Sequence, residues 1–98
     1  MYARVTTLKG KPEETEKGIK TVNEEIVPKI PQFKGCKGFY YLIDRNSGKS
    51  MGITLWDSKQ ALDDSEHAAD DNRSQAAQKA GSEIISIERF EIAVSKLV

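Results

Sequence analysis

The sequence predicts an α+β domain in which four antiparallel strands carry both helices on one face of the sheet, and three observations point to it. Strand-like and helix-like periodicities alternate along the chain in the order β-α-β-β-α-β. The turn residues Asp44-Arg45-Asn46-Ser47-Gly48 join the two middle strands into a hairpin. Those middle strands are apolar on both faces, whereas a strand in a one-sided sheet has a polar outer face. At 98 residues the chain is read as one domain, 1–98, too small to cover all of its own apolar surface.

The first strand runs from Tyr2 to Lys9, with β-branched Val5, Thr6 and Thr7 alternating, and Gly10 ends it. Lys11-Pro12-Glu13-Glu14 opens a helix, since proline fits the first turn and acids there oppose the positive end of the helix dipole. Ile19, Val22, Ile26 and Ile30 form its apolar stripe, and Glu13/Lys17 and Glu16/Lys20 are spaced as i,i+4 pairs. Pro28 and Pro31 make the last turn irregular. Gly18 costs the helix about 1 kcal/mol relative to alanine, which close packing against the sheet would justify.

The second strand, Gly35 to Arg45, places Tyr40 and Leu42 on one face and Phe39, Tyr41 and Ile43 on the other. Lys49 to Trp56 returns with Met51, Ile53 and Leu55 opposite Gly52, Thr54 and Trp56. Asp57 or Ser58 caps the next helix, with Gln60 placed for a capping box. That helix, residues 58–80, is rich in alanine, so it is expected to lie close to the sheet, to break near Ser65–His67 and to end at Gly81. The last strand is read from Ile84 to Val94, with a bulge near Ser86–Arg89. Burying even about 400 Å² of a bare second sheet face would contribute on the order of 10 kcal/mol before the entropic cost of association. A homodimer through that face is the expected remedy.

Composition narrows the partners. Lys plus Arg and Asp plus Glu number 15 each, and this zero net charge argues against nucleic acid as the main partner. No apolar run approaches the roughly 20 residues that span a bilayer, so no membrane role is expected. The N-terminus lacks a signal-peptide pattern, and the single Cys36 cannot form an internal disulfide, which makes the cytoplasm the expected location.

In this order the chain resembles the dimeric α+β barrel superfamily of ferredoxin-like domains, and within it the antibiotic biosynthesis monooxygenase-like domains. The resemblance rests on Tyr2-Ala3-Arg4-Val5-Thr6, on Phe33-Lys34-Gly35-Cys36-Lys37-Gly38-Phe39, on Ile53-Thr54-Leu55-Trp56-Asp57-Ser58 with Gln60-Ala61-Leu62, and on Phe90-Glu91-Ile92-Ala93-Val94. It implies an oxidoreductase of the cofactor-independent monooxygenase type, acting on a small aromatic or polyketide-like substrate. The haem-degrading members use an Asn in the first strand and a Trp and a His in the second helix. Here Thr6 or Thr7, Ser65 and Gln75 fall near those positions, so haem degradation is not expected.

Two functional readings stand. In the first, His67, the only histidine, acts as a general base, and the substrate lies among Tyr41, Trp56, Tyr40, Phe39, Phe90 and Arg73. That reading calls for an enclosed cavity of at least ~300 Å³. In the second, a non-catalytic dimer binds a ligand or serves assembly, the aromatic residues fill the core or interface, and His67 faces water. Arg4, Arg73 and Arg89 either orient an anionic ligand or form ordinary ion pairs. Asp63, His67, Asp70 and Asp71 share a helical face, but acidic runs on helices are usually solvated, and neither a metal nor a cofactor is expected. Cys36 has no histidine near it in sequence to activate it as a nucleophile.

Overall fold

The computed structural model describes residues 1–98. Four strands, β1 (Tyr2–Lys9), β2 (Cys36–Ile43), β3 (Lys49–Trp56) and β4 (Glu83–Glu91), form one sheet in the spatial order β2-β3-β1-β4. Every neighbouring pair is antiparallel. The helices are α1 (Thr15–Glu25), α2 (Lys59–Asp64) and α3 (Glu66–Ala80). This is the ferredoxin-like β-α-β-β-α-β arrangement predicted from the periodicity.

Local chemistry accounts for most element ends. Pro12–Glu14 forms a 3₁₀ turn before α1, and the proline-bearing segment Val27–Gln32 is 3₁₀ after it. The tighter opening turn takes Glu13 out of step with Lys17, and neither expected i,i+4 pair forms. Instead Glu14 pairs with Lys17 at 3.7 Å, and Glu16 reaches across to Arg45 of the β2–β3 turn. Ser58 caps α2 by accepting a hydrogen bond from the Ala61 N–H at 3.1 Å. No capping box closes, because the Gln60 amide donates to Asp64 at 2.7 Å instead. Gly81 ends α3 at φ 72°, a left-handed conformation that favours glycine. Gly18 meets the sheet closely, since a Cβ there would lie 3.1 Å from the Tyr41 hydroxyl.

β4 differs from expectation at both of its irregular points. It stops at Glu91 rather than Val94, because Glu91 already faces Tyr2, the first residue of β1, and the ladder runs out of partner. One further bond, from the Ile92 N–H to the Met1 carbonyl at 2.8 Å, closes the end. The register slips where Thr7 faces Ser86 and Leu8 faces Ile84, so the bulged residue is Ile85, just before the predicted stretch.

The registers define two unlike sheet faces. On the helix side lie Arg4, Thr6 and Leu8 of β1, Phe39 and Tyr41 of β2, and Gly52, Thr54 and Trp56 of β3. Across the open side run three rows: Leu42, Met51, Thr7 and Ser86; then Tyr40, Ile53, Val5 and Glu88; then Gly38, Leu55, Ala3 and Phe90. Tyr40 and Phe90 are about half exposed there, at 53% and 51%. No helix is long and apolar enough to cross a membrane.

Candidate functional site

The alanines of α3 decide what lies between helices and sheet. Ala76, Ala77 and Ala80 are buried on its inner face, but they stand over the equally small Gly52, Thr54 and Thr6 of the sheet. Small groups on both sides leave a gap. The close helix-to-sheet contact expected of an alanine face is therefore incomplete. A partly open cavity of about 100 Å³ remains, walled by Val22, Ile26 and Ile30 near α1 and by Phe33, Phe39, Tyr41 and Trp56. This volume is below the ~300 Å³ expected of an enzyme pocket. It is nearer that of a cavity that holds a single aromatic ring.

Trp56 anchors the wall. It is 1% exposed, its indole N–H donates to the Thr54 hydroxyl at 2.9 Å, and Phe33 meets it edge-on at 6.0 Å between ring centres. Over its ring, 5.2 Å away, lies the guanidinium of Arg4. Arg4 is 2% exposed and owes its place to the break between α2 and α3. At that break the Leu62 carbonyl accepts from Arg4 Nη2 at 2.9 Å and from the Ser65 hydroxyl at 2.8 Å, while Ser65 Oγ also accepts from Arg4 at 2.8 Å. The interruption near Ser65 is thus the docking point of a buried cation.

Three arginines converge on one carboxylate. Glu66 Oε1 accepts from Arg4 Nε and Nη2 at 3.1 and 2.9 Å and from Arg89 Nε at 2.8 Å, and its Oε2 accepts from Arg89 Nη2 at 2.6 Å. The third, Arg73, stands 3.8 Å from Glu66 and bonds to Asp70 at 3.1 Å. Hydrogen bonds from Arg89, and then those and the charge of Arg4, hold the Glu66 carboxyl down at about 2 against the opposing effect of its partial burial. Burial pulls Arg4 below the usual arginine range, and the Glu66 contact raises Arg89 above it. Burial also pushes the Cys36 thiol up, which opposes thiolate formation.

Of the residues singled out in the sequence, Phe39, Tyr41, Trp56 and Arg73 line the cavity. Tyr40 and Phe90 lie on the open sheet face, and His67 is exposed on α3 and is not part of the cavity wall. Asp63, Asp70 and Asp71 are exposed as well, and no three His, Cys, Asp or Glu side chains come together as a metal-binding group. Sequence reasoning missed Asn72, Thr54 and the lining role of the α3 alanines. The spacing of Ala69, Arg73, Ala76, Ala77 and Ala80 along one helix face is the signal that marks them.

No family model matches the sequence. Among curated proteins it is similar to the uncharacterized protein Rv2557 of Mycobacterium tuberculosis, 30% identical over 93 residues, which is 95% of this chain and 41% of that protein. Uncharacterized protein Rv2558 of the same organism is 32% identical over 62 residues, 63% of this chain and 26% of the relative. The chain thus spans at most 41% of the length of these curated relatives. Among solved structures, a dimeric ferredoxin-like protein from an uncultured marine organism superposes with a TM-score of 0.77 at 11% identity, covering 100% of both chains. A monooxygenase from the ActVA-Orf6 gene of Streptomyces coelicolor, in complex with the ligand nanaomycin D, gives 0.73 at 13% identity, covering 99% of this chain and 91% of that one. A structure of an antibiotic biosynthesis monooxygenase gives 0.67 at 19% identity, over 96% of this chain and 100% of the other. The chain has the ferredoxin-like α+β fold of antibiotic biosynthesis monooxygenase-like domains.

Proposed function

We propose that this domain is a cofactor-independent monooxygenase acting on a small aromatic, enolisable substrate, one ring of which occupies the cavity between α3 and the sheet. The observation that carries this reading is the lining of the cavity, which at about 100 Å³ is smaller than the enclosed pocket called for but is apolar over most of its wall and bordered by Tyr41, Trp56 and two arginines. Its size suits a single ring, with the rest of the molecule projecting through the open side. In such a reaction a ring CH₂ loses a proton and its carbanion reduces O₂. One oxygen atom stays on that carbon as a carbonyl and the other leaves as water. The protein's part is to hold the ring, exclude bulk water and favour the anion.

Oxygen uptake with an enolisable polyphenol tests this. Turnover should be lost in Ala76→Phe, which puts a ring of the protein's own into the cavity. A general base must come within hydrogen-bond reach of the proton it removes, so His67→Ala is expected to change turnover less than about twofold. A larger loss would bring His67 back as the base.

A second reading is a non-catalytic ligand-binding domain, and the exposure of His67 outside the cavity favours it. Ligand binding that Ala76→Phe abolishes, with no oxygen uptake by the wild type, would select it. Both readings include a homodimer formed through the open sheet face. Its support is the run of Tyr40, Leu42, Met51, Ile53, Leu55 and Val5 on that face and the likeness to a dimeric ferredoxin-like structure.

A further inference from the structure

We infer that the molecule held in the cavity is an anion, and that Arg73 receives its acidic oxygen, a carboxylate or the enolate or phenolate of an aromatic ring. The inference rests on the cavity being a ligand site, and deepens that reading by naming the ligand's charge.

Arg4 is engaged through Nε and Nη2, by the Leu62 carbonyl, the Ser65 hydroxyl and Glu66. Arg89 takes Glu66 in a two-pronged contact through Nε and Nη2. Glu66 therefore accepts four hydrogen bonds from these two arginines and leaves Arg73 at 3.8 Å, beyond hydrogen-bond reach. What Arg73 retains is Asp70, whose own side chain is 60% exposed. Within ion-pair distance the three guanidinium groups thus meet two carboxylates, Glu66 and Asp70, and the weakest paired is Arg73, which lines the cavity and is itself only 12% exposed.

One buried donor is left over. Arg73 Nε is the only buried side-chain nitrogen or oxygen without a hydrogen-bond partner. A charged donor left unmatched in a native interior calls for an explanation, and a ligand oxygen in the adjoining cavity supplies one once the guanidinium turns toward it, since Nε itself is covered. The planar guanidinium suits a planar anion, which can take two parallel hydrogen bonds from it. Meanwhile the aromatic and aliphatic walls suit the ring that carries the anion. A neutral ring would fill the same apolar space and leave the arginine as it is.

Benzoate and benzamide form the direct test, because they share one ring and differ in charge. Titration calorimetry on the full chain should show benzoate binding at least ~10-fold tighter than benzamide. Arg73→Gln should weaken benzoate about tenfold and leave benzamide unchanged, while Arg73→Lys, which keeps the charge, should recover part of the preference. Thermal melting checks that each variant is folded. Equal binding of the two molecules, both lost in Ala76→Phe, overturns the anion inference and leaves the cavity reading standing. A preference for benzoate that survives Arg73→Gln also overturns it, because the anion would then be held elsewhere. Failure of both molecules to bind overturns the inference and the cavity reading together.

Discussion

The two faces of this sheet are built from the same strands and finished in opposite ways. The helix-covered face carries Gly52, Thr54 and Thr6 under a row of alanines, and it is under-filled, with a buried arginine at one end. The open face carries Ile53, Leu55, Val5, Tyr40 and Leu42 as contiguous large groups with no helix over them. Apolar character alone does not distinguish a ligand site from an association surface. Side-chain size and unmatched charge do. Small groups facing small groups leave room for a ring, while large groups in a continuous layer ask for another protein surface.

The largest expected effect separates the faces by their dependence on concentration. Trp56→Ala removes the 1%-exposed anchor of the covered face, its hydrogen bond to Thr54 and its contact with Arg4. It should cost about 3–5 kcal/mol in chemical denaturation, at any protein concentration. Ile53→Asp places a charge at the centre of the open face, between Tyr40 and Val5. There the loss of about 3–5 kcal/mol should fall on dimer formation, read by sedimentation as a shift to monomer. A dimer that tolerates Ile53→Asp would erase the contrast, because the open face would then not be the interface.

A smaller effect probes the charged end of the covered face. Glu66 has its folded pKa held down at about 2, below the ordinary value of 4.5. Between those two values the unfolded chain takes up the proton more readily than the folded one. The stability Glu66 contributes is therefore complete above about 4.5 and is lost as the pH falls toward 2. Glu66→Gln should flatten this acid limb and cost about 2 kcal/mol at neutral pH. That is less than a fully buried pair would lose, because the carboxylate is 30% exposed. An unchanged acid limb would mean that the cluster's charges are screened by water.

Apolar residues on both faces of β2 and β3 are visible as alternation, so the sheet, the hairpin and the bare face can be read directly. The arginine cluster cannot. Arg4 and Glu66 are separated by 62 residues, and they meet only because β1 lies inside the sheet and the helix breaks at Ser65. His67 is the obvious titratable residue, yet one step along a helix turns a side chain by about 100°. Glu66 therefore faces Arg4, while His67 faces solvent. The extent of β4 was hidden for a related reason: Ile92 and Val94 are good strand residues, but the strand they would pair with starts at Tyr2.

The smallest prediction concerns Gly18, where α1 comes close to the covered face. Alanine at position 18 would gain the helix about 1 kcal/mol, but its Cβ would sit 3.1 Å from the Tyr41 hydroxyl and must displace it. Gly18→Ala alone should change stability by less than about 0.5 kcal/mol, the gain in propensity being offset by the displaced hydroxyl. Combined with Tyr41→Phe, which removes the obstructing oxygen, the same alanine should become stabilising by about 0.5–1 kcal/mol relative to Tyr41→Phe alone. A double-mutant cycle in urea reads the coupling. If the two substitutions prove additive, the glycine is not kept by its contact with Tyr41. The helix would then have room to settle closer to the sheet, and the cavity beside it would owe its volume to the alanines of α3 alone.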